Sequence, residues 1–282
     1  MTQKSKMTRK SAHVSPHTPS HPSPVISLSH VRFSYPETTG PVLSDLCLDL
    51  PAGVVTALLG PNGCGKTTLL NLCLGWLQPQ AGSIVLGGRP LAGIARREMG
   101  RTLSLVPQDE HVPFEYSVLE YVLLGRAPHL GTLQIPDQSH VEAADRALEA
   151  VGAQDWAERS VNTLSAGERQ LVMAARSLAQ EPSVLLMDEP SSHLDPANTA
   201  RLLELIRRLS ARGVTVVFTT HDPGLAASAA NTVALMRAGE ILFCGAAADA
   251  ITSERLSATY GVPMEVHVVS GGRRLVTWQS QS

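Results

Sequence analysis

The chain has 282 residues, a formal net charge of −2 and a charged fraction of 17%. That balance creates no field to recruit nucleic acid, and no nucleic-acid partner is expected. A hydrophobic fraction of 43% is ordinary for a soluble domain, and no run approaches ~18 consecutive apolar residues, so no membrane span is predicted. The lysines near the N-terminus have no apolar stretch behind them, which argues against a secretory signal. The four cysteines are scattered without a C-x-x-C pair, as in a reduced, cytosolic chain. Cys47 and Cys73 read as small packing hydrophobes.

Residues 1–25 are basic and rich in Ser, Thr, Pro and His, a composition predicted to stay disordered. His13, His17 and His21 would align metal ligands on a helix, but Pro16, Pro19 and Pro22 oppose that helix and favour a solvated tail. Order begins with VISLSHVRFSY and PVLSDLCLDL, which alternate like strands. VVTALLG is a short apolar run suited to a buried central strand, and TLLNLCLGWL is helical with one apolar face. GSIVLGG and TLSLVPQ are further strands. From about 109 to 170 the pattern turns helical, including SVLEYVLLGR and HVEAADRALEAVGA, and predicts a separate lobe.

A long helix, ERQLVMAARSLAQ, leads to the buried strand SVLLMDEP. NTARLLELIRRLSARG is a helix closed by glycine. VTVVFTTH is a strand, and TVALMRAGEILFCG a hairpin. The segment after residue 258 alternates on both sides of Gly271-Gly272, which predicts a short C-terminal β-hairpin. Strands alternating with helices predict an α/β fold with a mostly parallel sheet.

Two stretches carry phosphate chemistry. GPNGCGKT, running Gly60, Pro61, Asn62, Gly63, Cys64, Gly65, Lys66 and Thr67, fits G-x-x-x-x-G-K-[ST] between a strand and a helix. Its glycines let backbone N–H groups turn inward around phosphates. Lys66 is placed for the β- and γ-phosphates, and Thr67 for Mg²⁺. Cys64 is a small side chain in that loop, or a thiol that makes the site oxidation-sensitive. SVLLMDE ends in two carboxylates: Asp188 to hold Mg²⁺ and Glu189 to polarise an attacking water. LSAGERQ is a third signal. Ser165 is an N-cap, Glu168 completes S-x-x-E, and Gly167 between them leaves the helix N-terminus open to an anion.

With these motifs in this order the chain resembles the ATP-binding cassette (ABC) family over about residues 26–258, as a P-loop core with an antiparallel β subdomain and an α-helical signature subdomain. The resemblance implies ATP and Mg²⁺ as ligands. Gln108 in VPQDE matches the Q-loop glutamine, a catalytic and Mg²⁺ contact, and LSAGERQ matches the signature. Asp195 in SSHLD matches the D-loop, and His221 in TTHDP the switch histidine. Tyr35 matches the aromatic that stacks on adenine, and Thr68 follows the loop threonine.

In this family two ATPase domains pack head to tail, so Ser165 and Gly167 would serve the phosphate site of a second copy, giving an isologous homodimer. Ala166 and Glu168 depart from the familiar LSGGQ. Glu168 would stabilise the helix if its carboxylate turns back to the Ser165 N–H. The resemblance also implies separate integral-membrane permease subunits, an indirect link to a substrate-binding protein, and a peripheral place on the cytoplasmic side of the inner membrane.

LGRAPHLG, SSHLDPAN and YGVPMEVHVVSGGRRL are similar to the subgroup serving bacterial importers of iron–siderophore, haem and cobalamin. Arg126 and His129 would then contact the permease, or else be helix-end surface residues. The alternatives are the same motor for zinc, manganese, molybdate or an exporter, and a soluble ATPase of translation or DNA repair.

Overall fold

The computed structural model describes residues 23–192, 194–269 and 273–278. The histidine-bearing stretch and Gly271-Gly272 lie outside them. In chain order come β1 (Pro24–Phe33), β2 (Leu43–Pro51), β3 (Val55–Leu59), α1 (Lys66–Cys73), β4 (Ala81–Leu86), β5 (Arg89–Pro90), α2 (Arg96–Thr102) and β6 (Leu103–Val106). Then α3 (Val118–Leu123), α4 (Gln138–Val151) and α5 (Ala166–Ala179) lead to β7 (Val184–Met187), α6 (Pro196–Ala211), β8 (Thr215–Thr220) and α7 (Pro223–Ala229). The chain continues through β9 (Thr232–Arg237), β10 (Glu240–Ala246), α8 (Ala247–Ala250), α9 (Ser253–Tyr260), β11 (Met264–Val268) and β12 (Arg274–Trp278).

A six-stranded sheet in the order β10-β9-β3-β8-β7-β6 forms the centre. Its neighbours run parallel except β10 against β9, the hairpin that the sequence predicts. Every residue of β3, β7 and β8 is buried, because both faces of this sheet are covered. The two-residue period of the strands sorts the core. Ala57, Leu59, Met187, Phe218 and Leu235 pack toward the helices of the 109–209 region. Leu58, Leu186, Val217, Ala234 and Met236 pack against α1 and the antiparallel sheet β2-β1-β4-β5.

The helices between β6 and β7 share their apolar cluster with the first of those faces without a break. β11 and β12 pair antiparallel as a separate two-stranded sheet. Two local departures from the sequence reading have simple causes. α1 stops at Cys73, because Gly75 turns the chain with a φ of +66° and leaves Trp76 66% exposed. The α3 segment tightens to a 3₁₀ turn over Leu124–His129, which carries Pro128.

Candidate functional site

The loops that leave the carboxyl ends of β3, β6, β7 and β8 converge at one edge of the parallel sheet, where ligands bind in open α/β sheets. They surround a cleft of about 400 Å³. Asn62, Gly63, Gly65, Lys66, Thr67 and Thr68 line it from the glycine-rich loop and α1, with Tyr35, Val42, Gln108 and Glu189 closing the sides. Gly63 and Gly65 hold φ of +77° and +104°. Only glycine takes these values without strain, and the loop can therefore curl its amides around a phosphate. α1 starts at Gly65 with no side-chain cap, so its first N–H groups are left for an anion.

Lys66 is 5% exposed and donates from Nζ to the carbonyl oxygens of Gly60 at 3.0 Å and Pro61 at 3.1 Å. Tyr35 packs edge-to-face on Phe33, with ring centroids 4.9 Å apart, and its hydroxyl lies 3.2 Å from Thr68 Oγ1.

β7 presents the two carboxylates. Glu189 is a non-glycine residue with a φ of +41°, a strained backbone of the kind that collects at functional sites. One hydroxyl pins it. Thr219 Oγ1 accepts the Glu189 N–H at 2.8 Å and donates to Asp188 Oδ1 at 2.6 Å. Thr219 is fully buried, and Asp188 is 6% exposed. The Glu189 carboxylate then spans the cleft, with Oε1 3.3 Å from Lys66 Nζ and Oε2 3.0 Å from His221 Nδ1. An ionised carboxylate only accepts, so a hydrogen bond at this contact requires the proton on Nδ1. Thr67 and Gln108 line the cleft, and with the Asp188 carboxylate they would offer oxygen donors only, a chemistry that fits Mg²⁺ and not a soft metal.

The signature helix α5 opens on the capping box that the sequence predicts. Glu168 N–H donates to Ser165 Oγ at 3.3 Å, and Ser165 N–H donates to Glu168 Oε2 at 2.8 Å. The Ser165 amide, then its hydroxyl, then Arg159 at 3.0 Å hold the Glu168 carboxyl below its ordinary range. The added charge is thus tied down locally. Ser165 and Gly167 do not line the cleft of their own chain. Gly167 instead faces α6, where a Cβ would come within 3.0 Å of the Asn198 amide. Asp195 N-caps α6 by accepting the Asn198 N–H at 2.7 Å. The signature and D-loop positions therefore adjoin, away from the chain's own glycine-rich loop.

The ABC transporter family model matches residues 43–192, a span that runs from β2 past Glu189. The chain belongs to the ABC transporter family. A hemin import ATP-binding protein of Pseudomonas putida is 41% identical over 84% of this chain and 94% of its own. A molybdate import ATP-binding protein of Haemophilus influenzae is 37% identical over 85% and 89%. Among solved structures, a metal-chelate type ABC transporter in an inward-facing conformation superposes with a TM-score of 0.78 at 33% identity, covering 91% of this chain and 97% of its own. The protein is accordingly an ATP-binding, ATP-hydrolysing subunit of an ABC importer. No helix among the described residues is long and apolar enough to cross a membrane.

One expectation for this ABC ATPase, the surface contact through Arg126, is revised, and of the two readings of Cys64 the structure favours the small packing side chain. Arg126 is not presented at the surface of this chain. It is 7% exposed and turned inward, with Nε donating to His140 Nδ1 at 3.3 Å and Nη1 bonding the Ala179 carbonyl and Glu181 at 2.9 Å. His129 Nε2 lies 2.9 Å from the Gln180 carbonyl oxygen. The pair staples the 3₁₀ turn to the end of α5. Cys64 is 4% exposed and sits beneath the loop, and burial pushes its thiol up despite Lys66 nearby. It packs as a hydrophobe and is not a reactive thiol.

Several residues that matter to the ABC ATPase geometry have no sequence signal of their own. Thr219 is one. Others stitch the signature helix to β6 and to the loop after it that carries Gln108. Gln170 Nε2 donates to the Pro107 carbonyl at 3.2 Å, and Ser177 Oγ to that of Leu105 at 2.8 Å. Arg176 pairs with Glu110 at 2.6 Å, and the Tyr121 hydroxyl donates to the same carboxylate at 3.1 Å. The Q in LSAGERQ was readable as helix, but its partner lies 63 residues away.

Proposed function

We propose that this ABC ATPase energises import of an iron complex, as siderophore or haem, or of cobalamin, from the cytoplasmic face of a bacterial inner membrane. The observation that carries the hydrolytic part is the Glu189 carboxylate held between Lys66 and His221. Glu189 polarises the attacking water, since a fixed carboxylate with one oxygen toward a cation and one toward an imidazole can orient and accept a proton. The loop amides, the α1 N-terminus and Lys66 bind the phosphates and hold the charge that spreads in the transition state, and His221 assists them. Tyr35 stacks on the adenine. Thr67, Asp188 and Gln108 would hold Mg²⁺, which supplies neutralising charge to the phosphate oxygens.

Two copies assemble head to tail, each lending Ser165, Gly167, Asp195 and its α5 N-terminus to the other's cleft. Supporting this is the exposure of Ser165 at the helix tip, outside its own cleft. Separate permease subunits dock in the groove of about 390 Å³ where Trp76, Met99, Leu124 and Pro128 meet. Its occupant is a permease segment, since movement of the Gln108 loop reaches the groove through the 3₁₀ turn that α5 contacts. A γ-phosphate sensed by Gln108 then moves groove and signature helix together. A substrate-binding protein acts through the permease alone.

The hemin import relative and the metal-chelate transporter structure support the cargo class. A metal ion or oxyanion cargo is the second reading, favoured by the molybdate import relative. The test is uptake of radiolabelled iron chelates, haem, labelled cobalamin and molybdate in cells lacking the protein, complemented with wild type or Lys66→Ala. Loss of one compound, restored by wild type alone, assigns the cargo. Unchanged uptake of the iron complexes and cobalamin rejects the leading reading.

A further inference from the structure

The C-terminal segment grips the loop that carries His221 on both sides. Tyr260, the last residue of α9, donates its hydroxyl to the His221 carbonyl oxygen at 2.7 Å. α7 begins just beyond His221 with Asp222 as N-cap, and β12 packs on it. The grip is itself well supported. Leu256 and Thr259 anchor α9 with no exposed surface, and Arg237 bonds the Ala258 carbonyl. β11 is hooked to α9 by two side chains: Met264 N–H donates to Ser257 Oγ and Val266 N–H to Ser253 Oγ, both at 2.9 Å.

The His221 side chain is 53% exposed. Packing does not confine such a ring, so its place beside Glu189 depends on where the backbone holds it. The Tyr260 ring leans on the main core, while its hydroxyl is spent on His221. Burial first, and then the negative charge of Asp222, push this phenol up, and it stays a donor at any working pH.

We propose that Tyr260 is a positioning residue for ATP hydrolysis: its hydroxyl fixes the His221 backbone, and α9, β11 and β12 form the brace that holds it there. The paired strands β11 and β12 thereby become part of the catalytic support. This rests on the reading that His221 serves hydrolysis.

The test compares steady-state ATPase of the full-length wild type, Tyr260→Phe and His221→Ala, with melting temperature and stoichiometry of a fluorescent ATP analogue. Phenylalanine keeps the ring packing and removes only the donor. Loss of one hydrogen bond predicts a kcat lowered about three- to tenfold, with KM for ATP within about twofold and unchanged melting and stoichiometry. A Tyr260→Phe rate within about twofold of wild type, or a loss that tracks reduced stoichiometry or melting temperature, overturns the proposal. His221→Ala separates the layers. If it loses activity while Tyr260→Phe does not, the brace fails and the reading of His221 stands. If it keeps the wild-type rate, the reading of His221 falls and the brace falls with it.

Discussion

Glu189 reaches across the cleft to Lys66, with Oε1 3.3 Å from Nζ and both side chains largely buried. The cation expected at the phosphates and the carboxylate expected at the water neutralise one another. On the proposed reading, a γ-phosphate bound at Lys66 would compete with Glu189 for it and free the carboxylate for water. Glu189→Gln should bind ATP at least as tightly as wild type and lose about 10²- to 10⁴-fold in turnover. It should also accumulate a dimer with ATP. Phosphate release and light scattering check this; a monomer with unchanged turnover would remove Glu189 from the mechanism.

Thr219 joins the two carboxylates through one hydroxyl. Thr219→Val keeps the shape but leaves the Glu189 N–H and Asp188 Oδ1 without that partner in a buried site. The variant should lose about 1–3 kcal/mol of stability, the cost of an unsatisfied buried group. It should also lose hydrolysis, because the strained Glu189 backbone is released. Urea unfolding with parallel ATPase assays reads both, and wild-type values in both would refute the role.

Arg126 is a buried staple, which reverses what the sequence pattern suggested. Arg126→Glu places a carboxylate among the Ala179 carbonyl and Glu181, and should cost about 3–5 kcal/mol. Arg126→Met should cost less, because Glu181 is 52% exposed and water can take over its charge. Equal urea midpoints for the two variants would contradict the inward placement.

The Glu168 carboxyl is held below its unfolded value near 4.5 by the Ser165 amide. A depressed pKa means that folding favours the ionised form. Its contribution is complete above about pH 4.5 and fades as pH falls through the lower native value. The stability gap between wild type and Glu168→Ala should therefore be widest near neutrality and close in acid. A gap independent of pH between neutrality and acid would show that the charge contributes nothing.

The sequence by itself determined the order of the central elements and the positions of the phosphate loop, the paired carboxylates and the capped signature helix. These are local facts. A glycine that takes a φ of +104°, an apolar run that must lie inside a sheet, and an S-x-x-E box all act within a few residues. The end of α1 at Cys73 was less legible, because one glycine outweighed a continuing apolar run.

Only the tertiary structure decided which way Arg126 points, what holds Glu189 in place, and what stands behind His221. Thr219, Gln170 and Tyr260 act on residues 30, 63 and 39 positions away. A hydroxyl or amide shows its partner only after the strands have brought distant loops to one edge. The strand period chooses the face on which each side chain stands, and sheet order chooses its neighbours. Neither neighbour nor distance is written in the residue itself.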